Sequence, residues 1–283
     1  MSDPDIRRLR GFILKEAQGD LLPCAAQVSA AELFNLSLNR VEEVALELGI
    51  LPARYQRNRQ TISTLQQYRL SRSKAVIIGC GGLGGYLIEE LARLGVGNLV
   101  LIDSDVIEEH NLNRQLLSTA DVLNRPKVAV AAERVRAINP AVNVTPLKTV
   151  FFHDNGRELI AGADVVLDGL DTIPARMELA QICYEMSIPV VHGAIGGWYG
   201  QVATQLPGEN ISPQIFGMTP PIKGIETDFG NPSFTPGLVA SLQAAEACKI
   251  LLREGKCLNG RVLFINLLDM EMIEVRLKGN NKE

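Results

Sequence analysis

This chain is short of three things: paired cysteines, surplus positive charge and long apolar runs. Its five cysteines, Cys24, Cys80, Cys183, Cys248 and Cys257, are odd in number and none stands in C-x-x-C spacing. That pattern fits reduced thiols in a cytoplasm, not a disulfide framework. Lys and Arg number 28 against 32 Asp and Glu, a net charge of −4, with a pI near 5.6. Such a balance weighs against nucleic acid as a general partner. No apolar run reaches the roughly 18 residues that a membrane span needs, and Met1-Ser-Asp-Pro-Asp5 lacks the basic-then-apolar form of a secretory signal. What remains is ample for a folded core. The 283 residues are 46% hydrophobic and 21% charged, which suits one large α/β domain with an appendage.

The most informative stretch is Lys74-Ala-Val-Ile-Ile-Gly-Cys-Gly-Gly-Leu-Gly-Gly85. Ala75 to Ile78 is a short β-branched run, the composition of a strand buried on both faces. Gly79, Gly81 and Gly84 then fall in G-x-G-x-x-G spacing, and Tyr86 to Leu94 continues as a helix with an apolar face. A strand, a glycine turn and a helix in that order bring free backbone N–H groups and a positive helix end to one point, which suits a phosphate. Alone, the motif implies only a nucleotide, and a nicotinamide oxidoreductase is the reading it would ordinarily suggest.

The residues downstream narrow it. Leu99-Val-Leu-Ile-Asp103 predicts a second strand ending in an acid, where a Rossmann fold places its ribose-binding carboxylate. Asp105, Asn111-Leu-Asn-Arg-Gln115, Arg125-Pro-Lys127 and Leu167-Asp-Gly-Leu-Asp171 follow. Two cations and a strand-end carboxylate beside a phosphate loop describe triphosphate and Mg²⁺ handling better than hydride transfer. The ordered set G-x-G-G-L-G, D-x-D, N-L-N-R-Q, R-P-K and D-x-x-D resembles the MoeB/ThiF/HesA branch of the ubiquitin-activating enzyme superfamily, over roughly residues 54 to 275.

The resemblance implies a Rossmann-like, doubly wound α/β sheet with an antiparallel C-terminal sheet that docks a carrier protein. It implies an adenylyltransferase that uses ATP and Mg²⁺ on the C-terminal glycine carboxylate of a small ubiquitin-like sulfur carrier ending in Gly-Gly. Pyrophosphate would be released, the context would be cofactor biosynthesis, and the enzyme would be a homodimer. Nucleotide contacts carried over are Gly79, Gly81, Gly82, Gly84, Asp103, Asp105, Asn111, Arg114 and Lys127. Catalytic residues carried over are Arg114, Lys127, Asp171 and, from the other subunit, Arg59, with Asp171 as the metal ligand. Arg57-Asn-Arg-Gln60 matches the family's arginine signature with Arg57 in the tyrosine position, although Arg54-Tyr55 offers a competing register and a solvated basic linker is the plainer alternative. Two departures stand out. The C-x-x-C pairs that bind structural zinc in most members are missing, so no structural zinc is expected. Between Cys183 and Cys248 there is also no cysteine to accept a carrier as a thioester or persulfide.

The rest of the chain divides, on this reading, into a helical appendage and linker over 1–60 and the ATP-binding domain over 61–283. Helices are expected over Asp5–Gln18, from a Ser29-x-x-Glu32 capping box, and through Val41–Leu48 to Gly49. The last two allow a helix-turn-helix, but no basic recognition face is present. Pro126 is expected at the first position of a helix running to Ile138, and a lysine in that first turn, opposing the helix dipole, points to binding. Asp171 is the metal candidate and also a candidate cap for a helix opened by Pro174, a role that does not exclude the metal, and Arg176 is a substrate contact or structural. His192 is the one histidine expected near the site, in a structural role. Residues 207–236 hold 6 of the 14 prolines and 4 of the 25 glycines, and such a segment is usually functional; in the family it crosses over the adenylate. Gly237–Arg253 is expected to be a helix, followed by strands at Arg261–Leu267 and Met270–Leu277. Two further readings stay open: a tRNA-modifying dehydratase of the same superfamily and a non-catalytic regulator.

Overall fold

The computed structural model describes residues 3–217 and 229–277; the middle of the irregular 207–236 segment lies outside the described residues. The chain begins with helix α1 (Asp3–Glu16), strand β1 (Leu21–Leu22), helices α2 (Cys24–Phe34) and α3 (Leu38–Glu47), and strand β2 (Leu51–Pro52), which pairs in parallel with β1. Leu9 and Ile13 of α1 pack with Ala30 of α2 and with Val41, Val44 and Ala45 of α3. These positions recur at helical spacing, so each helix turns one apolar stripe inward. The helix expected to start at Ser29 starts five residues earlier, behind Pro23, so Ser29 lies inside it and is no cap. Gly49 ends the next helix region at φ 78°, as its position predicts.

The real capping box is Ser63 with Gln66, which opens α4 (Thr64–Arg72). Apolar periodicity does not signal this helix, because only Leu70 of its apolar residues is fully buried and Leu65 is exposed.

The sheet that follows is built from β3 (Lys74–Ile78), β4 (Asn98–Ile102), β5 (Asn143–Leu147), β6 (Val165–Asp168), β7 (Val190–Gly196), β8 (Tyr199–Gln205), β9 (Arg261–Asn266) and β10 (Glu271–Arg276). Their order is β10-β9-β8-β7-β6-β3-β4-β5, with β5, β4, β3, β6 and β7 parallel and the remainder antiparallel. The antiparallel part therefore continues the parallel sheet. Helices α5 (Gly82–Leu94), α6 (Lys127–Ile138), α7 (His153–Leu159), α8 (Ile173–Met186), α9 (Ser212–Phe216) and α10 (Phe234–Leu252) connect or cover the strands. Side chains alternate across β3: Ala75 and Ile77 enter the core under α5 and α10, while Val76 and Ile78 enter the core under α8. That period of two is why the run is apolar throughout.

One further boundary differs from expectation. Pro126 has extended backbone and caps α6 without belonging to it, so Lys127 is the first helical residue. The segment Ala194–Gly200 is mostly strand: β7 and β8 form a hairpin closed by Gly197 and Trp198, and Gly193 and Gly200 leave room for Gln243 and Val239 of α10. Helix α7 was not signalled by the sequence. No described helix is long and apolar enough to cross a membrane.

Candidate active site

From β3 the chain steps outward through β4 to β5, then returns to the other side of β3 for β6 and β7. The connections after β3 and β6 thus leave their carboxyl ends in opposite directions, and a crevice opens between them. This is the topological switch point at which open α/β sheets bind ligands. A cleft of about 430 Å³ lies there.

One wall is the turn from β3 into α5. Gly79 has φ 89°, and a Cβ on it would meet the carbonyl oxygen of Gly169 at 2.4 Å. A Cβ on Gly84 would sit 1.8 Å from the carbonyl oxygen of Gly79, so this glycine lets α5 close onto the loop. Gly79, Gly81 and Gly82 line the cleft and Gly84 does not. The first turn of α5 presents backbone N–H groups to the cleft, the ordinary basis of anion binding at a helix start.

The opposite wall carries the charges. Asp103, just past β4, receives N–H groups from Cys80 at 2.7 Å and Asp105 at 2.8 Å. It therefore ties the glycine turn to the next loop, and it still faces the cleft with acceptor capacity left. Lys127 is 9% exposed, and its Nζ donates to Asp105 Oδ2 at 2.9 Å. That hydrogen bond holds the Asp105 carboxyl below the usual carboxylate range. Asn111 is buried and its side chain accepts from the Glu108 N–H at 3.0 Å, shaping the turn that presents Arg114. Arg114 donates to the His110 carbonyl and to Asn113 Oδ1, both at 2.9 Å. Asp103, Asp105, Asn111, Arg114 and Lys127 all line the cleft.

Asp171 lies on the loop between β6 and α8 and also lines the cleft. The N-cap of α8 is Thr172, which makes no side-chain cap bond, so Asp171 is not the cap. Among the described residues its carboxylate has no hydrogen-bond or ion-pair partner. Beneath the loop, Asp168 is 2% exposed and accepts from the Leu170 N–H at 3.0 Å and from His192 Nδ1 at 2.7 Å. Arg176, 5% exposed, donates through Nε and Nη2 to the Leu170 carbonyl at 3.0 and 2.6 Å. Burial holds His192 below its ordinary pKa against the opposing pull of Asp168.

Several residues fall elsewhere than expected or were not anticipated. Arg59 does not line the cleft; its guanidinium pairs with both carboxylate oxygens of Asp20. Arg54, the competing alignment, is held by Glu42, Gln27 and Asn139, and Tyr55 is buried against Asn139. His192 is not the only histidine nearby, since exposed His110 lines the cleft and His192 lies behind its wall. Thr149, Val150 and Phe151 line it from the loop after β5, and Asn231 from the segment before α10. Position after a strand's carboxyl end was the only signal for the first three, and membership of the proline-rich 207–236 segment was the only one for Asn231.

The sequence pattern of the ThiF family matches residues 55–283. A SAMP-activating enzyme E1 of Haloferax volcanii is 41% identical over 217 residues, which cover 76% of this chain and 80% of the relative. A molybdopterin-synthase adenylyltransferase of Haemophilus influenzae is 34% identical over 224 residues, covering 76% and 89%. A crystal structure of E. coli MccB with MccA-N7isoASN superposes with a TM-score of 0.70 at 20% identity, over 90% of this chain and 84% of that one, a likeness of fold alone. This chain belongs to the ThiF family and is an adenylyltransferase.

Proposed function

We propose that the chain adenylates the C-terminal carboxylate of a small ubiquitin-like sulfur carrier protein ending in Gly-Gly, within cofactor biosynthesis, as a cytoplasmic homodimer with residues 1–60 as an appendage to the catalytic domain. The observation that carries this reading is the convergence, in one cleft, of a glycine turn at a helix start, Arg114, Lys127 and Asp171, whose carboxylate has no partner among the described residues. The relatives' names, a SAMP-activating enzyme and a molybdopterin-synthase adenylyltransferase, point to the same class of substrate.

The donor set of the cleft fits a Mg²⁺–triphosphate. Among the described residues no three His, Cys, Asp or Glu side chains gather to hold an ion by themselves. A single strand-end carboxylate beside bound phosphates is the usual arrangement for Mg²⁺. Asp171 would hold it, and when bound the ion offsets charge on the phosphate oxygens. In the reaction, a carrier carboxylate oxygen attacks the α-phosphorus, a P–O bond forms, and the bridging P–O bond to the β-phosphate breaks, releasing pyrophosphate. The chain's part is positioning and charge stabilisation. Backbone N–H groups of Gly81 and Gly82 cradle phosphate, and Asp103 accepts from the ribose. Lys127 exchanges Asp105 for a phosphate oxygen, and Arg114 follows the leaving pyrophosphate, joined by Arg59 of a second subunit.

The test is ATP–pyrophosphate exchange with each purified ubiquitin-fold protein ending in Gly-Gly from the same organism. Exchange that depends on one such carrier and on its terminal carboxylate is expected. Tight NAD binding with no exchange would overturn the reading in favour of an oxidoreductase.

A further inference from the structure

The geometry points to a buried polar chain, running from β8 across β7 and β6 to α8, that sets where Asp171 stands, with Arg176 and His192 as its positioning residues. This rests on the reading of Asp171 as the metal ligand. Leu170 is pinned at both of its backbone polar groups. Its N–H is held by Asp168 Oδ1, and its carbonyl oxygen is gripped by two nitrogens of the Arg176 guanidinium. The Leu170 carbonyl and the Asp171 nitrogen share one rigid peptide plane. A planar guanidinium that takes that oxygen with two N–H groups therefore fixes the mount of the Asp171 side chain, which makes no hydrogen bond or ion pair of its own among the described residues.

The other end of the chain holds Asp168. His192 Nδ1 meets Asp168 Oδ2 at 2.7 Å, and His192 Nε2 meets Gln201 Nε2 at 3.1 Å. The neutral tautomer with its proton on Nδ1 satisfies both: it donates to Asp168 and accepts from the Gln201 amide. Gln243 of α10 adds N–H bonds to the backbone oxygens of Asp168 and Val191. Burying a guanidinium, a carboxylate and an imidazole this deeply is costly, and apolar residues of similar volume would often serve stability as well or better. What apolar residues could not do is dictate the orientation of one peptide plane at the cleft. The arrangement matches the general way in which groups behind a metal-binding carboxylate orient it.

The experiment measures Mn²⁺ binding by electron paramagnetic resonance, in the presence of a non-hydrolysable ATP analogue and below each variant's melting temperature. Arg176→Lys keeps the charge but not the planar two-nitrogen grip. His192→Leu removes the donor to Asp168, while His192→Asn keeps an N–H at the Nδ1 position. Mn²⁺ affinity is expected to fall about 10- to 100-fold in Arg176→Lys and His192→Leu, with analogue binding in the absence of divalent ion unchanged, and to recover in His192→Asn. Wild-type Mn²⁺ affinity in the first two, or no recovery in His192→Asn, overturns the positioning role. Asp171→Asn is run alongside. If it alone loses Mn²⁺, only the positioning inference falls; if it too binds normally, the metal reading of Asp171 falls and this inference falls with it.

Discussion

Asp171 and Lys127 meet the same cleft under opposite conditions: the lysine is already engaged by Asp105, and the aspartate is engaged by nothing among the described residues. An Asp171→Asn change therefore breaks no hydrogen bond or ion pair among the described residues. It is expected to leave the melting temperature near wild type while carrier-dependent ATP–pyrophosphate exchange falls by about 100-fold or more, the scale of losing one preorganised charge. Exchange at the wild-type rate would reduce Asp171 to a surface residue. His192 carries a different, measurable signature. Its folded-state pKa is depressed by burial, so the unfolded chain binds a proton more readily than the native one. The stability this contributes is fully present above the unfolded value of about 6.5 and is lost as pH falls toward and through the lowered folded value. Denaturant melts between pH 7 and pH 5 are expected to show a shallower loss of stability in His192→Asn than in wild type. Equal slopes would mean that His192 titrates as it does in the unfolded chain.

Among the elements, the β3–turn–α5 unit is the one whose local sequence and packing agree most completely. Gly84 does not line the cleft, and what it provides is the approach of helix to loop. Gly84→Ala is expected to cost roughly 1–3 kcal/mol, as overpacking does, and to weaken nucleotide binding through displacement of Gly79; a melt and an ATP titration would read both. A Gly84→Ala protein with wild-type melting would show that α5 shifts freely. Strands β3, β4 and β6 were legible because both of their faces are buried, which forces an uninterrupted apolar run. Helix α4 was not: a nine-residue helix with one fully buried apolar side chain leaves almost no periodic trace, and its Ser63–Gln66 box was the only local sign. The start of α2 was misplaced for a related reason, since two possible starts compete locally and Pro23 wins.

At the scale of the whole molecule, two predictions concern what lies beyond one cleft. Arg59 is paired with Asp20 of its own chain, so its expected role across a dimer requires release from that exposed, weak pair. Arg59→Ala and Lys127→Ala homodimers are both expected to be poor enzymes, and a verified heterodimer of the two to regain activity at one of its sites. No recovery would confine Arg59 to its own subunit. The second prediction concerns sulfur. None of the five cysteines lines the cleft. Cys80 and Cys183 point into the two cores on either side of the sheet, and burial pushes the Cys183 thiol up to about 12. Cys248, pushed up by burial to about 11, stands twelve residues along α10 from Pro236, the residue that packs beside Gly82. At 1.5 Å per residue that is roughly 18 Å away. Cys257 lies beyond it, and Cys24 opens α2 in the N-terminal helices. Intact mass after incubation with MgATP and carrier is expected to show no thiol-sensitive adduct; one lost on a single Cys→Ser change would identify a nucleophile among the five.

The sequence by itself determined the half of the cleft around the glycine turn, because each of its parts is a local unit. A glycine turn between a buried strand and a helix, an acid at a strand end and a lysine in a first helical turn need only a few neighbouring residues to acquire their geometry. Tertiary structure decided whatever depends on residues far apart in the chain. The antiparallel strands join the parallel sheet through the β7–β8 hairpin, and Gly193 and Gly200 in it leave the room that lets α10 lie against it. His192 gained its place because 24 residues separate it from Asp168 along the chain but 2.7 Å separates them across the sheet. Hydrogen bonds of that kind have no period and no local motif, so nothing short of the assembled fold could reveal them.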